Sequence, residues 1–435
     1  MSISILKLAS PKDAATFDGL IARLRQGGLV SASNGQTDVP AVVQGIIDDV
    51  RERQDKALLD LTRRFDGVEC SSIAVEPERI AAALAQADAG FLGLIRRAIG
   101  NIREYQQSIL TPDPKVLVRG GRRLGLRYIP VDRVGVYVPG GRAFYPSTVL
   151  MTVVPAQVAG VKEIALASPP TSNGDVHPLV LALAGELGIK EVYRAGGAQA
   201  IAAMALGTPS IRRVDKVVGP GNAFVAEAKR QLFGAVGIDS IAGPSEVLIV
   251  ADDSARAEYV AADMLAQAEH DPGSAVLVTT SGELAAKVAT ELESQLRSLS
   301  RREAIASSLA SYSCIAIAPD PDAAAEAANR VAAEHLQIVT RDNQAMLKKI
   351  RHAGAIFLGG ATPVPLGDYY AGPSHVLPTG STARFFSALS CNDFRKASSL
   401  IEYDEQSLAQ DAADVIDFAS REGLTAHARA VEIRK

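Results

Sequence analysis

Thiols are scarce in this chain of 435 residues. It has three cysteines, Cys70, Cys314 and Cys391, far apart and without a CxxC pair, which argues against both a disulfide framework and a thiolate zinc knuckle. Long basic runs are missing as well. With 45 basic and 49 acidic side chains the formal net charge is −4, so neither nucleic acid nor an anionic membrane is an expected partner. No apolar run approaches the length of a membrane span. The N-terminal MSISILKLASPKDAATFDGL has no basic flank before an apolar core and does not read as a signal peptide, which leaves a cytoplasmic location as the expectation. What is present, 47% hydrophobic and 22% charged residues, is the composition of a globular protein long enough for two or more domains.

The first hundred residues read as helical. Residues 42–65 and 78–110 set apolar positions at helical spacing among charges. No catalytic cluster stands out there, and the expected role is scaffold and dimer contact. Near Arg127 the texture changes to short β-branched runs alternating with alanine-rich stretches. The runs are RVGVYV (133–138), KEIALAS (162–168), EVYRAG (191–196) and VDKVVG (214–219), then EVLIVAD (246–252), SAVLVTTS (274–281), SCIAIAPD (313–320), LQIVT (336–340) and AIFLGG (355–360). Repetition of βα units implies two mostly parallel sheets covered on both faces, in tandem, with a cleft between them as the usual ligand site. Beyond Pro365 follow a glycine-rich loop, a helix at about 406–422 and the terminal REGLTAHARAVEIRK.

GPGNAF, Gly219 to Phe224, is the best phosphate-loop candidate. It follows a strand and opens a helix, whose N-terminus favours an anion. Phe224 stands where GxGxxG has its third glycine, and no acid ends a following strand at the ribose position. A tight turn without ligand and a nucleotide-binding turn both remain open on this pattern. GGAQA at 196–200 is a second strand-to-helix junction and places Gln199 near the same sheet edge.

Four of the six histidines sit in polar contexts at element ends. Gln267 and His270, three apart on a helix, share a face; a cap or core role is the alternative. Glu334 and His335 adjoin a strand start, a candidate pair for proton transfer. Asp368 and His375 bracket the loop GDYYAGPSH, whose order calls for a bound metal or substrate. Glu422 and His427 lie in the tail. Nitrogen and oxygen donors without a thiolate suit zinc or a neighbouring ion such as manganese. Spacing alone does not say that these residues meet.

The segments YVPGGRAFYPSTVLM, GGAQAIAAMALG, VDKVVGPGNAFVAEAKRQLFG, IDSIAGPSEVLIVAD, QAEHDP, EHLQIVT, GDYYAGPSHVLPTG and EGLTAHA, in that order, resemble the signature blocks of the histidinol dehydrogenase family from about residue 127 to the C-terminus. The resemblance implies an α/β, aldehyde-dehydrogenase-like fold: two incomplete Rossmann-like parallel-sheet domains with small N- and C-terminal helical segments. Its implied division is a helical segment 1–25, a first α/β domain of 26–136 with 246–388 carrying most catalytic and metal residues, an NAD-binding domain 137–245, and a tail 389–435 swapped onto the partner of a homodimer. It implies one zinc ion per subunit, held by Gln267, His270, Asp368 and the His427 of the other subunit. It also implies catalytic Glu334 and His335, and NAD contacts at Tyr137, Gln199 and Asn222. Ser245, His375 and Glu422 join the zinc ligands and His335 in contacting substrate.

The implied reaction is oxidation of L-histidinol to L-histidine with reduction of two NAD. Relatives that oxidise another small alcohol, such as sulfopropanediol, resemble this set closely. Glu422 near His427 favours histidinol, because a carboxylate suits its amine or imidazole. Two departures from the family pattern stand out: alanines at 332 and 333, where a proline often precedes the Glu-His pair, and Ser374, where asparagine often precedes the loop histidine.

Overall fold

The computed structural model describes residues 3–30, 38–140, 146–270 and 273–435. Residues 141–145 of the YVPGGRAFYPSTVLM block and 271–272 of QAEHDP lie outside them. The chain opens with β1 (Ser4–Lys7) and α1 (Pro11–Val30), then four helices: α2 (Val39–Arg53), α3 (Asp55–Asp66), α4 (Pro77–Gln86) and α5 (Ala89–Ser108). The periodic run over 42–65 is thus two helices. Asp38 caps the first by accepting from the Ala41 N–H at 3.1 Å, and Gln54 ends it at φ 52, a left-handed conformation that breaks a helix. The run over 78–110 divides where Asp88 caps α5, accepting from the Phe91 N–H at 2.7 Å.

Next come β2 (Leu117–Arg119), β3 (Arg122–Pro130) and a first βα series: β4 (Arg133–Tyr137), α6 (Pro146–Ala159), β5 (Glu163–Ser168), α7 (Pro178–Glu186), β6 (Glu191–Arg194), α8 (Gly197–Leu206), β7 (Lys216–Val218), α9 (Ala223–Leu232) and β8 (Gly237–Ile238). Its sheet is parallel, in the order β6-β5-β4-β7-β8. All five residues of β4 are buried, as a central parallel strand covered on both faces requires. The second series is β9 (Ser245–Ala251), α10 (Ala257–Ala268), β10 (Gly273–Thr279), α11 (Gly282–Leu296), α12 (Arg302–Tyr312), β11 (Cys314–Ile317), α13 (Pro321–Val331), β12 (His335–Val339), α14 (Asn343–Leu347), β13 (Ala355–Leu358) and α15 (Val364–Tyr369). Its parallel sheet runs β1-β11-β10-β9-β12-β13. The α/β class with two parallel sheets is as expected.

Packing divides the chain differently from the expected boundaries. β1 is an edge strand of the six-stranded sheet, paired with β11, and Phe17, Leu20 and Ile21 of α1 join its core. The N-terminal segment is therefore part of that domain. Helices α2 to α5, expected with residues 246–388, bury their apolar faces on the other sheet. Val43, Ile47 and Leu58 pack with Ala167 and Ile201; Ile95, Ile99 and Ile102 pack with Met151 and Leu181. Burial of these stripes, not adjacency in sequence, assigns them.

A third, antiparallel sheet was not foreseen. β14 (Arg395–Tyr403) pairs along its whole length with β3, and β2 pairs on the other side. The last helices, α16 (Glu405–Arg421) and α17 (Thr425–Glu432), follow. Arg122 forms an ion pair with Asp411, so the tail is fastened to β3 of its own chain at its base. The tail still exposes apolar side chains: Ile401 on β14 is 74% exposed, and beyond the base Phe418 is 68% and Ile433 60%.

Candidate functional site

Two neighbouring strands begin at the site. Ser245 is the first residue of β9 and His335 the first of β12, and the strands run parallel with His335 opposite Val247. The preceding residue, Glu334, is buried. Its Oε2 accepts from the Glu246 N–H at 3.0 Å, and Glu246 Oε1 accepts from the Glu334 N–H at 3.3 Å and from the Gly380 N–H at 3.0 Å. The Ser245 side chain favours the Glu334 carboxylate, against the effect of burial. The chain passes close to Glu334 because residue 354 is glycine: a Cβ there would lie 2.6 Å from the Glu334 carbonyl oxygen.

Two buried carboxyls side by side disfavour ionisation of both. Burial, then the Glu334 charge, pushes Glu246 up to about 8; burial raises Glu334 too. Glu246 was missed in the sequence. Its only signal was an acid inside a β-branched run, directly after Ser245.

His335 is 4% exposed. Its Nδ1 lies 3.3 Å from the Glu246 carbonyl oxygen. A carbonyl only accepts, so Nδ1 carries the proton. Nε2 is then the free basic atom; it is buried without a hydrogen-bond partner, 3.5 Å from Asp368 Oδ1, while Glu334 Oε2 is 3.6 Å from Nδ1. Burial opposes a charge on this imidazole, but the carboxylates of Glu334 and Asp368 outweigh it and raise the group to about 9.

Asp368 projects from α15. The carbonyl of the same residue accepts from His375 Nδ1 at 2.9 Å, and His375 Nε2 lies 3.4 Å from the Thr148 hydroxyl. Ser374 donates to the Met151 carbonyl at 3.0 Å, which anchors the loop and so performs a positioning task that does not require asparagine. Gln267 is buried in the last turn of α10 with its amide nitrogen unpartnered, and His270 follows, exposed, within the electrostatic reach of Asp368 and His335.

The structure thus gathers Ser245, Glu334, His335, His270, Asp368 and His375, with Gln267 one turn before His270. Glu422 and His427 are exposed on the tail, and no described interaction joins them to this group. Among the described residues no three His, Cys, Asp or Glu side chains are arranged to hold a metal. Of the expected zinc ligands, one chain supplies only His270 and Asp368 of those types.

The expected nicotinamide contacts lie elsewhere and together. Tyr137, Gln199 and Asn222 line one cleft of about 1240 Å³ at the C-terminal ends of β4, β6 and β7. The strand order reverses at β4, so this is the crevice where open α/β sheets hold ligands. The Tyr137 hydroxyl accepts from the Gly197 N–H at 3.1 Å. Asn222 caps α9, its Oδ1 accepting from the N–H groups of Phe224 and Val225 at 3.1 and 3.2 Å. Gly219, at φ 119, is required for packing: a Cβ would lie 2.1 Å from the Tyr137 carbonyl oxygen. The opposite wall comes from α2 and α3, including Arg64 and Asp66, where the sequence had suggested scaffold and dimer contact.

Three cations that flank GPGNAF are all engaged. Lys229 pairs with Asp239 at 2.6 Å, both 3% exposed; Arg212 pairs with Glu163 and Glu191 at 2.7 and 3.1 Å; Arg213 donates to the Ala235 carbonyl. No helix among the described residues is long and apolar enough to cross a membrane.

Comparison with known proteins agrees with this geometry. The family profile "Histidinol dehydrogenase" matches residues 30–435. The chain is 51% identical over 395 residues to the histidinol dehydrogenase of Rhodopirellula baltica, covering 90% of this chain and 86% of that one. It is 48% identical over 406 residues to that of Bacillus subtilis, covering 93% and 95%. The crystal structure of histidinol dehydrogenase from Elizabethkingia anophelis superposes with a TM-score of 0.92 at 33% identity, covering 99% of this chain and 98% of that one. Sequence and fold agree over nearly the whole length: the chain belongs to the histidinol dehydrogenase family.

Proposed function

We propose that this chain oxidises L-histidinol to L-histidine by way of L-histidinal, reducing two NAD, as a cytoplasmic homodimer in histidine biosynthesis. Family membership supports the substrate. The observation that carries the chemistry is His335: a backbone carbonyl holds its Nδ1–H, which makes Nε2, beside Asp368, the atom that exchanges a proton with substrate.

In the first half-reaction Nε2 of His335 takes the hydroxyl proton while the carbinol carbon gives a hydride to NAD, leaving histidinal, NADH and one proton. In the second, Glu334 takes a proton from a water that adds to the aldehyde carbon, and His335 returns its proton to the former carbonyl oxygen. His335 takes a proton from the resulting diol as the second hydride leaves to a second NAD. The products are the carboxylate, NADH and two protons. Ser245 holds Glu334, and His375 holds the loop carrying Asp368. Burial of Glu334 and His335 keeps the aldehyde from bulk water.

A zinc ion would be held by Gln267, His270, Asp368 and the His427 contributed by a second copy. The chain's donors fit such an ion: the buried Gln267 amide has an unpartnered terminal atom, and amide nitrogen and oxygen are interchangeable by a flip. When bound, zinc supplies a Lewis-acidic anchor for the substrate's imidazole and amine. With Asp368 committed to a metal, His335 loses one of the two carboxylates that raise it, which brings it toward the range of a working base.

The dimer is supported by the apolar tail. Exposed Ile401, Phe418 and Ile433 call for a covering surface, and Glu422 and His427 lie on the same tail. NAD is supported by the common cleft of Tyr137, Gln199 and Asn222.

The test offers purified protein L-histidinol, and separately other small alcohols, with NAD. Two NADH per histidinol is the expected yield. NADH from another alcohol alone overturns the substrate, and one NADH per histidinol overturns the two-step course.

A further inference from the structure

The cleft of Tyr137, Gln199 and Asn222 contains an acid that the proposed reaction does not use. Asp66 is the last residue of α3, where Gly67 turns the chain at φ 68. Asp66 is part of the cleft lining, and among the described residues no donor reaches its buried Oδ2. The other acid of the lining, Asp49, is held by Arg53 through two bonds of 2.5 and 2.6 Å. Among the described residues no such ion pair holds Asp66. Burial raises it to about 6, which leaves it ionised at neutral pH. An unpartnered buried acceptor works against stability, so its presence in a ligand-sized cleft points to a donor supplied from outside.

The two walls of the cleft differ in chemistry. On the sheet side, α8 and α9 begin at Gly197 and Ala223; Tyr137 and Asn222 take the Gly197, Phe224 and Val225 N–H groups, and the positive ends of the two helix dipoles suit the pyrophosphate of a dinucleotide. On the helical side, Arg64 lies over the Phe65 ring, 5.1 Å from its centroid, and Asp66 repels phosphate at its own position and accepts hydroxyl or amine donors. A dinucleotide that rests its phosphates on the first wall presents sugar hydroxyls to the second. No acid was found in the sequence at the ribose position after GPGNAF, because the acid is on a helix that precedes the sheet.

Resting on the assignment of this cleft to NAD, we infer that Asp66 is a cofactor-binding residue whose carboxylate accepts hydrogen bonds from the vicinal hydroxyls of a ribose and rejects a phosphate ester at that position. It contributes the discrimination that the engaged Lys229, Arg212 and Arg213 leave to another group.

Calorimetric titration of the full-length protein and its Asp66→Asn variant with NAD and NADP tests this. Loss of a charged acceptor is expected to weaken NAD by about ten- to a hundredfold, while NADP weakens far less or tightens, so that the preference between them narrows. A structural role alone does not move that ratio. Equal weakening of both cofactors, or an NAD affinity within about twofold of the parent, overturns the inference. Thermal melting confirms the fold, and Asp66→Ser replaces the asparagine variant if it fails to fold. AMP and nicotinamide mononucleotide, titrated separately, tell the two riboses apart: the one weakened by Asp66→Asn carries the gripped sugar, and if neither weakens the inference falls. If the parent protein binds no NAD, the cleft assignment fails and the inference falls with it; if the parent binds and the variant is indifferent, the inference alone falls.

Discussion

Glu246 and Glu334 each accept a hydrogen bond from the other's backbone N–H, so two buried carboxyls bridge the starts of β9 and β12. Glu246 is raised to about 8 from an ordinary 4.5, by burial first and by Glu334 second. A carboxyl raised by folding brings stability that is fully present below its unfolded value and is lost as pH rises through its folded value. The melting temperature is therefore expected to fall between about pH 4.5 and 8 and to level off above. Glu246→Gln removes this titration and flattens the curve, leaving the variant a few degrees the more stable at pH 9. Melts across that pH range check it; an unchanged slope in the variant refutes it.

The two catalytic roles separate by substrate. His335→Asn is expected to slow oxidation of both histidinol and histidinal by about 10² to 10⁴-fold, the usual worth of a positioned base. Glu334→Gln slows mainly the step from histidinal, and lets aldehyde accumulate from histidinol. Single-turnover NADH traces with each substrate measure the difference. Equal slowing on both substrates without aldehyde contradicts the division of labour.

Asp368 and His427 test whether sites are shared between subunits. Asp368→Ala and His427→Ala are each expected to stay folded but to lose zinc and activity. Mixed and reassembled, they form heterodimers with one doubly altered site and one intact site, so activity returns to about half of the parent level per heterodimer. Zinc content and NADH production of the purified heterodimer are the readouts, and persistent inactivity refutes sharing.

The tail's apolar face predicts its own disruption. Phe418→Glu places a charge on a surface that is 68% exposed in the single chain and buried in the proposed dimer. Sedimentation is expected to show monomers, with activity lost and the melting of the two sheet domains little changed. A variant that remains dimeric assigns the interface elsewhere.

Lys229 and Asp239 form a pair that is 3% exposed on each side. Lys229→Met leaves Asp239 buried and uncompensated, a loss of about 3–5 kcal/mol. Adding Asp239→Asn is expected to restore at least half, because Asp239 also accepts from the Gly219 and Ser240 N–H groups and an amide oxygen keeps part of that role. Denaturant titration of the single and double variants gives the coupling.

The elements legible in the sequence were those whose signal is local. β-branched runs such as RVGVYV and EVLIVAD alternate with alanine-rich stretches, and each reads as strand or helix from its own period; both parallel sheets follow from that. The site residues were legible because their blocks resemble those of a family, and the structure brings together His270, His335, Asp368 and His375, which come from separate elements. Local pattern did not show the break at Gln54, where one positive φ divides a continuous helical period. It also missed the antiparallel sheet, because β14 finds β3 more than 260 residues away in the chain.

The sequence by itself determined the two βα series, the donor types available for a metal and the family, because composition, period and motif are properties of neighbouring residues. Only the tertiary structure decided that α2 to α5 belong to the sheet of β4, that Glu246 stands against Glu334, and that Asp66 faces the cleft of Tyr137. Each of these depends on which apolar faces bury each other, and burial also sets the ionisation of the carboxyls carried along. That choice is made by the packing of segments far apart in the chain, and no window of sequence contains both partners.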